Sequence, residues 1–360
     1  MQQNLPQLPV ITLEKLTALI ASWGVPNYRA KQVLQWRNRG ILNPADMLNI
    51  PEELRERLSS SLVCEPLKLV QRQCSSDGTR KYLFMLTSGR LKGKMVESVY
   101  IPEEKRGTVC ISSQVGCVLD CPFCHTGTQD FEGNLSSGEI IAQVLAVKHD
   151  LLKEPLAAEL NASVTHVVYM GMGEPLANEE GVHESLSSLT DPDGLKLSKR
   201  RITLSTSGLV PQIDRLGEVA SVNLAISLHA AENRLRDALV PINRKYPLQE
   251  LRQCLNRYSL GKQRHITLEY VMLDGINDRP EDVELLAGFV NLDRERVNLI
   301  SFNTYPGSSY TGSSKQHMNE FAKQLISKGI RATVRRSRGQ DIMAACGQLK
   351  AGNRAENRES

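Results

Sequence analysis

From Gly107 onward the chain alternates short runs of β-branched and apolar residues with stretches of helical periodicity, and no other feature narrows its fold as much. The extended runs fall at 108–112, 165–170, 201–207, 223–229, 266–272 and 297–303, and helical patterns lie at 137–151, 248–258, 280–290 and 317–328. Strands joined by helical crossovers run parallel in one sheet, so six of them predict an α/β fold, closed or partly closed as a barrel, with its chemistry at the C-terminal ends of the strands. Ahead of this region, 13–23, 28–39 and 51–62 carry apolar positions at helical spacing; Gly40 follows the second and Pro51 opens the third. They read as a small helical module. Between the two parts, 81–87 and 95–101 alternate around the turn-like Ser88-Gly89, as antiparallel strands do. At 360 residues the chain has room for two or three domains. The expected division is an N-terminal helical accessory domain (1–66), a β connector (67–106), the barrel with a C-terminal loop (107–350) and a loose polar tail (351–360).

Composition removes several classes. Hydrophobic residues at 41% and charged residues at 23% match a globular chain, which excludes disordered, collagen-like and coiled-coil readings. No apolar run approaches the ~18 residues that span a bilayer, and 1–10 lacks the charged start and apolar stretch of a secretory signal. The expected location is the cytoplasm, with no membrane partner. A net charge of +4 allows a local basic surface without requiring one. In a reducing compartment, cysteine spacing is read for metal or redox chemistry before disulfides, and four of the eight cysteines, Cys110, Cys117, Cys121 and Cys124, fall within fifteen positions.

Cys117-x3-Cys121-x2-Cys124 offers three thiolates from a loop just after a predicted strand. A cubane iron–sulfur cluster usually takes four cysteines, so three leave one iron open to another ligand. Structural zinc is the alternative; it needs a closed fourth position, for which Cys110 or His125 would be the donor. With Phe123 before its last cysteine, the loop resembles the signature of radical S-adenosylmethionine (SAM) enzymes. That resemblance implies a [4Fe-4S] cluster whose open iron chelates SAM, reductive cleavage of SAM to a 5′-deoxyadenosyl radical, and a partial (βα)6 TIM-like barrel as the housing.

The resemblance narrows along the chain. MVESVYIP at 95–102, CISSQVGC at 110–117, GMGEP at 171–175, STSG at 205–208, SLH at 227–229 and DIMAACGQL at 341–349 follow the order seen in RNA adenine methyltransferases of the RlmN type and their relative Cfr. RlmN-type enzymes methylate adenine carbon 2 in 23S rRNA and in tRNA, and Cfr acts at carbon 8. The stretches 173–175 and 117–129 resemble the RlmN type more closely. An aromatic C–H is neither nucleophilic nor acidic enough for ordinary methyl transfer, so the cofactor must carry a radical step.

The resemblance implies that Cys346 takes a methyl group from one SAM, that the radical from a second abstracts hydrogen from it, and that the methylene radical adds to the base. Two SAM are thus used per turnover. Cys110 then matches the cysteine that resolves the protein–RNA adduct through a transient disulfide with Cys346, and Glu97 matches the proton acceptor at the base. Gly173, Glu174, Ser205, Ser227, Leu228, His229 and Asn303 match SAM-contacting positions. A flavodoxin-type electron donor and a monomeric state are further expectations, and the N-terminal module matches an RNA-binding domain.

Read without the family, these residues are plainer. A lone intracellular cysteine defaults to a small buried hydrophobe, the reading kept for Cys64, Cys74 and Cys254. Ala344-Ala345 before Cys346 and Gly347 after it are small, as a loop threading between cofactor and base requires, and the basic run 335–338 would promote its thiolate. Gly171-Met172-Gly173 lacks the third glycine of a dinucleotide loop. Aromatic residues total 5%, against an extended stacking platform. Candidate phosphate contacts are Lys92, Lys94, Lys105, Arg106, Lys199, Arg200, Arg201 and the 335–338 run. After Asn303 the chain reads Thr304-Tyr305-Pro306 where the family more often has Asn-Pro, which implies altered loop packing. The rivals are a Cfr-like carbon 8 enzyme and a non-catalytic, zinc-stabilised RNA-binding protein.

Overall fold

The computed structural model describes residues 5–157, 159–160, 162–261 and 264–351. Of the expected tail, 352–360 lies outside the described residues, as does 1–4 of the N-terminal start. Three helices open the chain: α1 (Leu13–Ser22), α2 (Tyr28–Asn38) and α3 (Glu52–Ser61). The Thr12 hydroxyl accepts the Lys15 N–H and so caps α1, while Leu16 and Ile20 of α1, Val33 and Leu34 of α2, and Leu54 and Leu58 of α3 are buried. Each such side chain contributes about 1.5–3 kcal/mol by leaving water. The module seats on a long helix of the following region, α4 (Ser137–Lys153). Gly40 marks the closest approach: with φ +92, a Cβ there would meet the Leu145 carbonyl oxygen at 2.4 Å.

The next residues form β1 (Leu67–Cys74), β2 (Arg80–Leu86), β3 (Met95–Pro102) and β4 (Gly107–Ile111), paired antiparallel in that order. A small ladder, β5 (Gln114–Val115) with β6 (Gly133–Asn134), follows, and then β7 (His166–Tyr169), β8 (Ile202–Thr206), β9 (Asn223–Ser227), β10 (Ile266–Met272), β11 (Glu295–Ser301) and β12 (Ala332–Arg335). One sheet runs β1-β2-β3-β4-β7-β8-β9-β10-β11-β12, parallel from β4 on. The partial barrel is therefore present, extended at one edge by the antiparallel strands and at the other by β12. Sequence periodicity missed β12: four residues, none of them fully buried, carry too little pattern. It also missed the crossover helices α5 (Glu179–Thr190), α6 (Val210–Val219) and α7 (Asn233–Leu239), which precede α8 (Leu248–Arg257), α9 (Pro280–Phe289) and α10 (Lys315–Ser327).

The two faces of the parallel strands differ. Val109, Val167, Tyr169, Ile202, Leu204, Leu224, Ile226, Leu268, Val297 and Leu299 are buried in the hydrophobic core. The alternate positions, Thr108, Cys110, His166, Thr203, Ala225, Thr267, Glu269, Arg296 and Asn298, line an interior cavity. Parallel strands covered on both faces are usually apolar throughout; here polar side chains on the inner face mark a lumen that is a site, not a packed core. Several runs expected to continue as strand stop early. Asn223–Ser227 ends before Leu228 and His229, which leave the ladder to turn into the barrel mouth, where His229 has φ +57. No helix among the described residues is long and apolar enough to cross a membrane.

Candidate active site

The cysteine loop is pinned at its base by the β5–β6 ladder and at its centre by the Tyr305 hydroxyl, which donates to the Pro122 carbonyl at 2.9 Å. Cys117, Cys121 and Cys124 line one cavity of about 160 Å³. Burial pushes the Cys117 thiol up to about 12, holds Cys121 well above its ordinary range and raises Cys124, and the charge of Cys124 adds to the first two shifts. Three convergent thiols in so dry a place are poor free acids and good ligands, because a metal replaces the proton and disperses the charge. N–H donors already face the sulfurs: Leu119 N to Cys117 Sγ at 3.4 Å, and the Thr126 and Gly127 amides toward Cys124.

The zinc alternative needed Cys110 or His125 as a fourth ligand. His125 Nδ1 lies 3.1 Å from the Gln348 carbonyl oxygen, its ring is stacked on Tyr305 with centroids 4.5 Å apart, and Cys110 lies in the wall of a different cavity. Among the described residues no group of three or more His, Cys, Asp or Glu side chains is close enough to hold a single ion. The three thiols line one cavity, and three cysteines at three corners are what a cubane with one open iron takes. Cys117→Ala should therefore lose nearly all of the about four irons of the anaerobically purified chain; iron retained at the level of the unaltered protein, read by metal analysis and visible absorption, would refute this assignment.

Across that cavity stand strand-end residues. After β7, Gly173 has φ +94, and a Cβ there would meet Gln114 Cβ at 2.5 Å, so no other residue fits. Glu174 is buried, which raises its carboxyl pKa, and its oxygens accept the Leu176 N–H at 3.0 Å and the Ser207 N–H at 2.8 Å. Ser205, Ser227 and His229 complete the wall, while Leu228 is fully buried behind it. Burial, with Arg236 nearby, lowers His229 to about 3, so its ring is neutral; Nδ1 accepts the Val271 N–H at 3.0 Å, which assigns the ring proton to Nε2. Its ring meets Phe123 edge-on at 4.8 Å.

A second cavity, of about 570 Å³, fills the lumen and includes Cys110. Cys346, Asn303 and Glu269 belong to the walls of both cavities. Asn303 Nδ2 donates to the Cys346 carbonyl at 3.2 Å, and Cys346 acts electrostatically on Cys110, Cys124 and Arg335. Burial, then Cys346, pushes Cys110 up to about 12. The segment carrying Cys346 lies across the barrel mouth: the Gly347, Gln348 and Leu349 carbonyls face His125 and Thr126 of the cysteine loop, and Gln348 Nε2 donates to Thr304 O at 2.8 Å. Glu97, on β3, is not in either wall. Its oxygens meet Lys81 Nζ at 3.3 Å and the Lys350 N–H at 2.9 Å, and burial raises its pKa.

Sequence reasoning missed three members of this site. Glu269 left a trace: it is the one carboxylate in an otherwise apolar strand, where a barrel would bury it. Lys81 and Arg236 left none. Arg236, fully buried, donates to the Ser207, Ser227 and Leu228 carbonyls and so locks two strand ends together; burial lowers its pKa to about 10.

Residues 111–287 match the model of the radical SAM superfamily, and 7–64 match that of the ribosomal RNA large subunit methyltransferase N-terminal domain. A dual-specificity RNA methyltransferase RlmN of Rhodopseudomonas palustris is 45% identical over 94% of this chain and 87% of its own. Its namesake from Parvibaculum lavamentivorans is 45% identical over 96% and 89%. A crystal structure of a radical SAM methyltransferase from Sphaerobacter thermophilus superposes with a TM-score of 0.89 at 40% identity, covering 96% of this chain and all of that one.

Proposed function

The chain belongs to the radical SAM superfamily and within it to the RlmN methyltransferases, and on that premise we propose that it methylates carbon 2 of an adenine in 23S rRNA and in tRNA. Enzymes of this superfamily use a [4Fe-4S] cluster and SAM. When bound, these supply a carbon radical able to remove hydrogen from an unactivated position. Cys117, Cys121 and Cys124 would hold the cluster; Gly173, Glu174, Ser205, Ser227, Leu228, His229 and Asn303 would hold SAM.

The observation that carries the reading is the position of Cys346, in the partition between the cysteine-loop cavity and the lumen that contains Cys110. A thioether there would face the bound cofactor on one side and the RNA base on the other. The lumen has room for an adenine splayed from its helix, and Arg106, Arg296, Arg335, Arg336 and Arg338 in its wall offer donors to the flanking phosphates. Cys346 accepts a methyl group and passes the carbon to the adenine, with two SAM consumed per turnover; the odd electron left on the base by that addition would return to the bound cofactor. Glu97, two residues along the strand from Val99 in the lumen wall, takes the proton from the base. Cys110 then attacks the Cys346 sulfur: an S–S bond forms, the S–C bond breaks with its electron pair on carbon, and that carbon gains a proton to become the new methyl group. Residues 1–66 act as the RNA-binding module. The reading includes a monomeric enzyme, a cytoplasmic location and a flavodoxin-type electron donor.

Digestion of the product RNA and mass spectrometry against 2-methyladenosine and 8-methyladenosine standards tests it. The 2-isomer is expected, and the 8-isomer or no methylated adenosine would overturn it.

A further inference from the structure

Lys81 and Glu97 come from neighbouring antiparallel strands. The register pairs Lys81 with Val99 and Leu83 with Glu97, so the two charged residues are diagonal neighbours on one sheet face. Both are largely shielded, with 12% and 7% of their side chains exposed, and their charges meet at 3.3 Å. Each has a second bond, and both second bonds go to the strand-less segment after β12. Lys81 Nζ donates to the Met343 carbonyl at 3.3 Å, and Glu97 Oε2 accepts the Lys350 N–H at 2.9 Å. One ion pair thus grips that segment three residues before Cys346 and four residues after it.

The segment has little regular structure of its own. A single 3-10 turn, Gln340–Ile342, ends on Met343, a non-glycine residue in the left-handed region at φ 52, and Gly347 follows at φ 81, so the chain reverses on both sides of Cys346 with neither an α-helix nor a strand ladder through 343–350. The cysteine loop and Asn303 hold its far side through the Cys346, Gly347, Gln348 and Leu349 carbonyls. On the near side the Lys81–Glu97 pair engages both ends.

We propose that Lys81 is a positioning residue which, with Glu97, clasps residues 343–350 and so keeps the Cys346 sulfur in the partition between the two cavities. The proposal rests on the reading of Cys346 as methyl carrier. It gives Glu97 a task besides proton transfer, since its carboxylate must release the Lys350 N–H to use that oxygen at the base. Displacing a reacting atom by about 1 Å costs about a hundredfold in rate, so loss of the clasp weighs on turnover more than on folding.

The test uses cluster-loaded, anaerobically purified protein. In Lys81→Met, amide hydrogen exchange at 343–350 should quicken while β2, β3 and the cysteine loop keep their protection, iron content stays unchanged, and RNA methylation falls about a hundredfold. Lys81→Arg, which retains the charge and the donors, should recover most of both. Unchanged exchange at 343–350 overturns the clasp, as does exchange quickened across the whole sheet, which would make Lys81 a general fold residue. Quickened exchange with normal methylation overturns its positioning role. Failure of the methyl-carrier reading shows separately, as methylated RNA from Cys346→Ala, and leaves the exchange result standing.

Discussion

Cys346→Ala should bind its full complement of iron and make no methylated RNA, a loss of about a thousandfold or more, as expected when the group that forms the covalent bond is removed. Iron is unaffected because Cys346 is supplied by the C-terminal segment, while all three thiols assigned to the cluster come from the loop between β5 and β6. The alanine keeps the small side chain that lets the segment lie between two cavities, and leaves the Asn303 bond to its carbonyl in place. A mass spectrum of the peptide containing residue 346 supplies the positive control: about 14 Da of added methyl on the cysteine and none on the alanine. Methylated RNA from the alanine variant would remove Cys346 from the reaction.

Cys110→Ala should methylate no RNA to completion, yet leave RNA covalently attached to the protein, visible as a band that survives denaturing electrophoresis and collapses on nuclease treatment. The adduct persists because no other thiol belongs to the lumen wall, and a disulfide-forming attack on the Cys346 sulfur needs one: the remaining polar neighbours are carboxylates, amides, guanidinium groups, hydroxyls and the His166 imidazole. The same logic gives a pH dependence in the unaltered enzyme. Burial holds the Cys110 thiol at about 12 and only its thiolate attacks, so the release step should quicken about tenfold for each pH unit until another step limits turnover. Rapid-quench measurement of adduct decay across pH reads this directly. Clean release from the alanine variant, at normal yield, would dismiss the resolving role.

Much of the architecture was legible because its signals are local. The six parallel strands showed as β-branched runs, and Ile266–Met272 was bounded to the residue, since a strand pattern repeats every second position and β10 lies between neighbours on both sides. Edge strand β12 and helices α5 to α7 escaped for the opposite reason. Asn233–Leu239 has seven residues, too few for a helical period to stand out, and α5 is polar over much of its length. The cysteine loop was readable as a candidate ligand set because its spacing is local, and the structure puts its three thiols on one cavity. The shared wall of the two cavities was not, because Glu269 and Cys346 reach it from strands and loops far apart in the chain.

What the residue order determined unaided is therefore the run of three thiols, the alternation that makes a parallel sheet, and the set of family motifs, each a pattern carried within a few positions. Tertiary structure alone decided that the Cys346 segment closes the barrel mouth, that Cys110 stands inside the lumen and not with the cysteine loop, and that the Glu97 carboxylate is held by Lys81 and the Lys350 amide. Such contacts form only when a curved sheet brings its first and last elements face to face, and the free energy that holds them there comes from burial summed over the whole core, which no single stretch of chain contains.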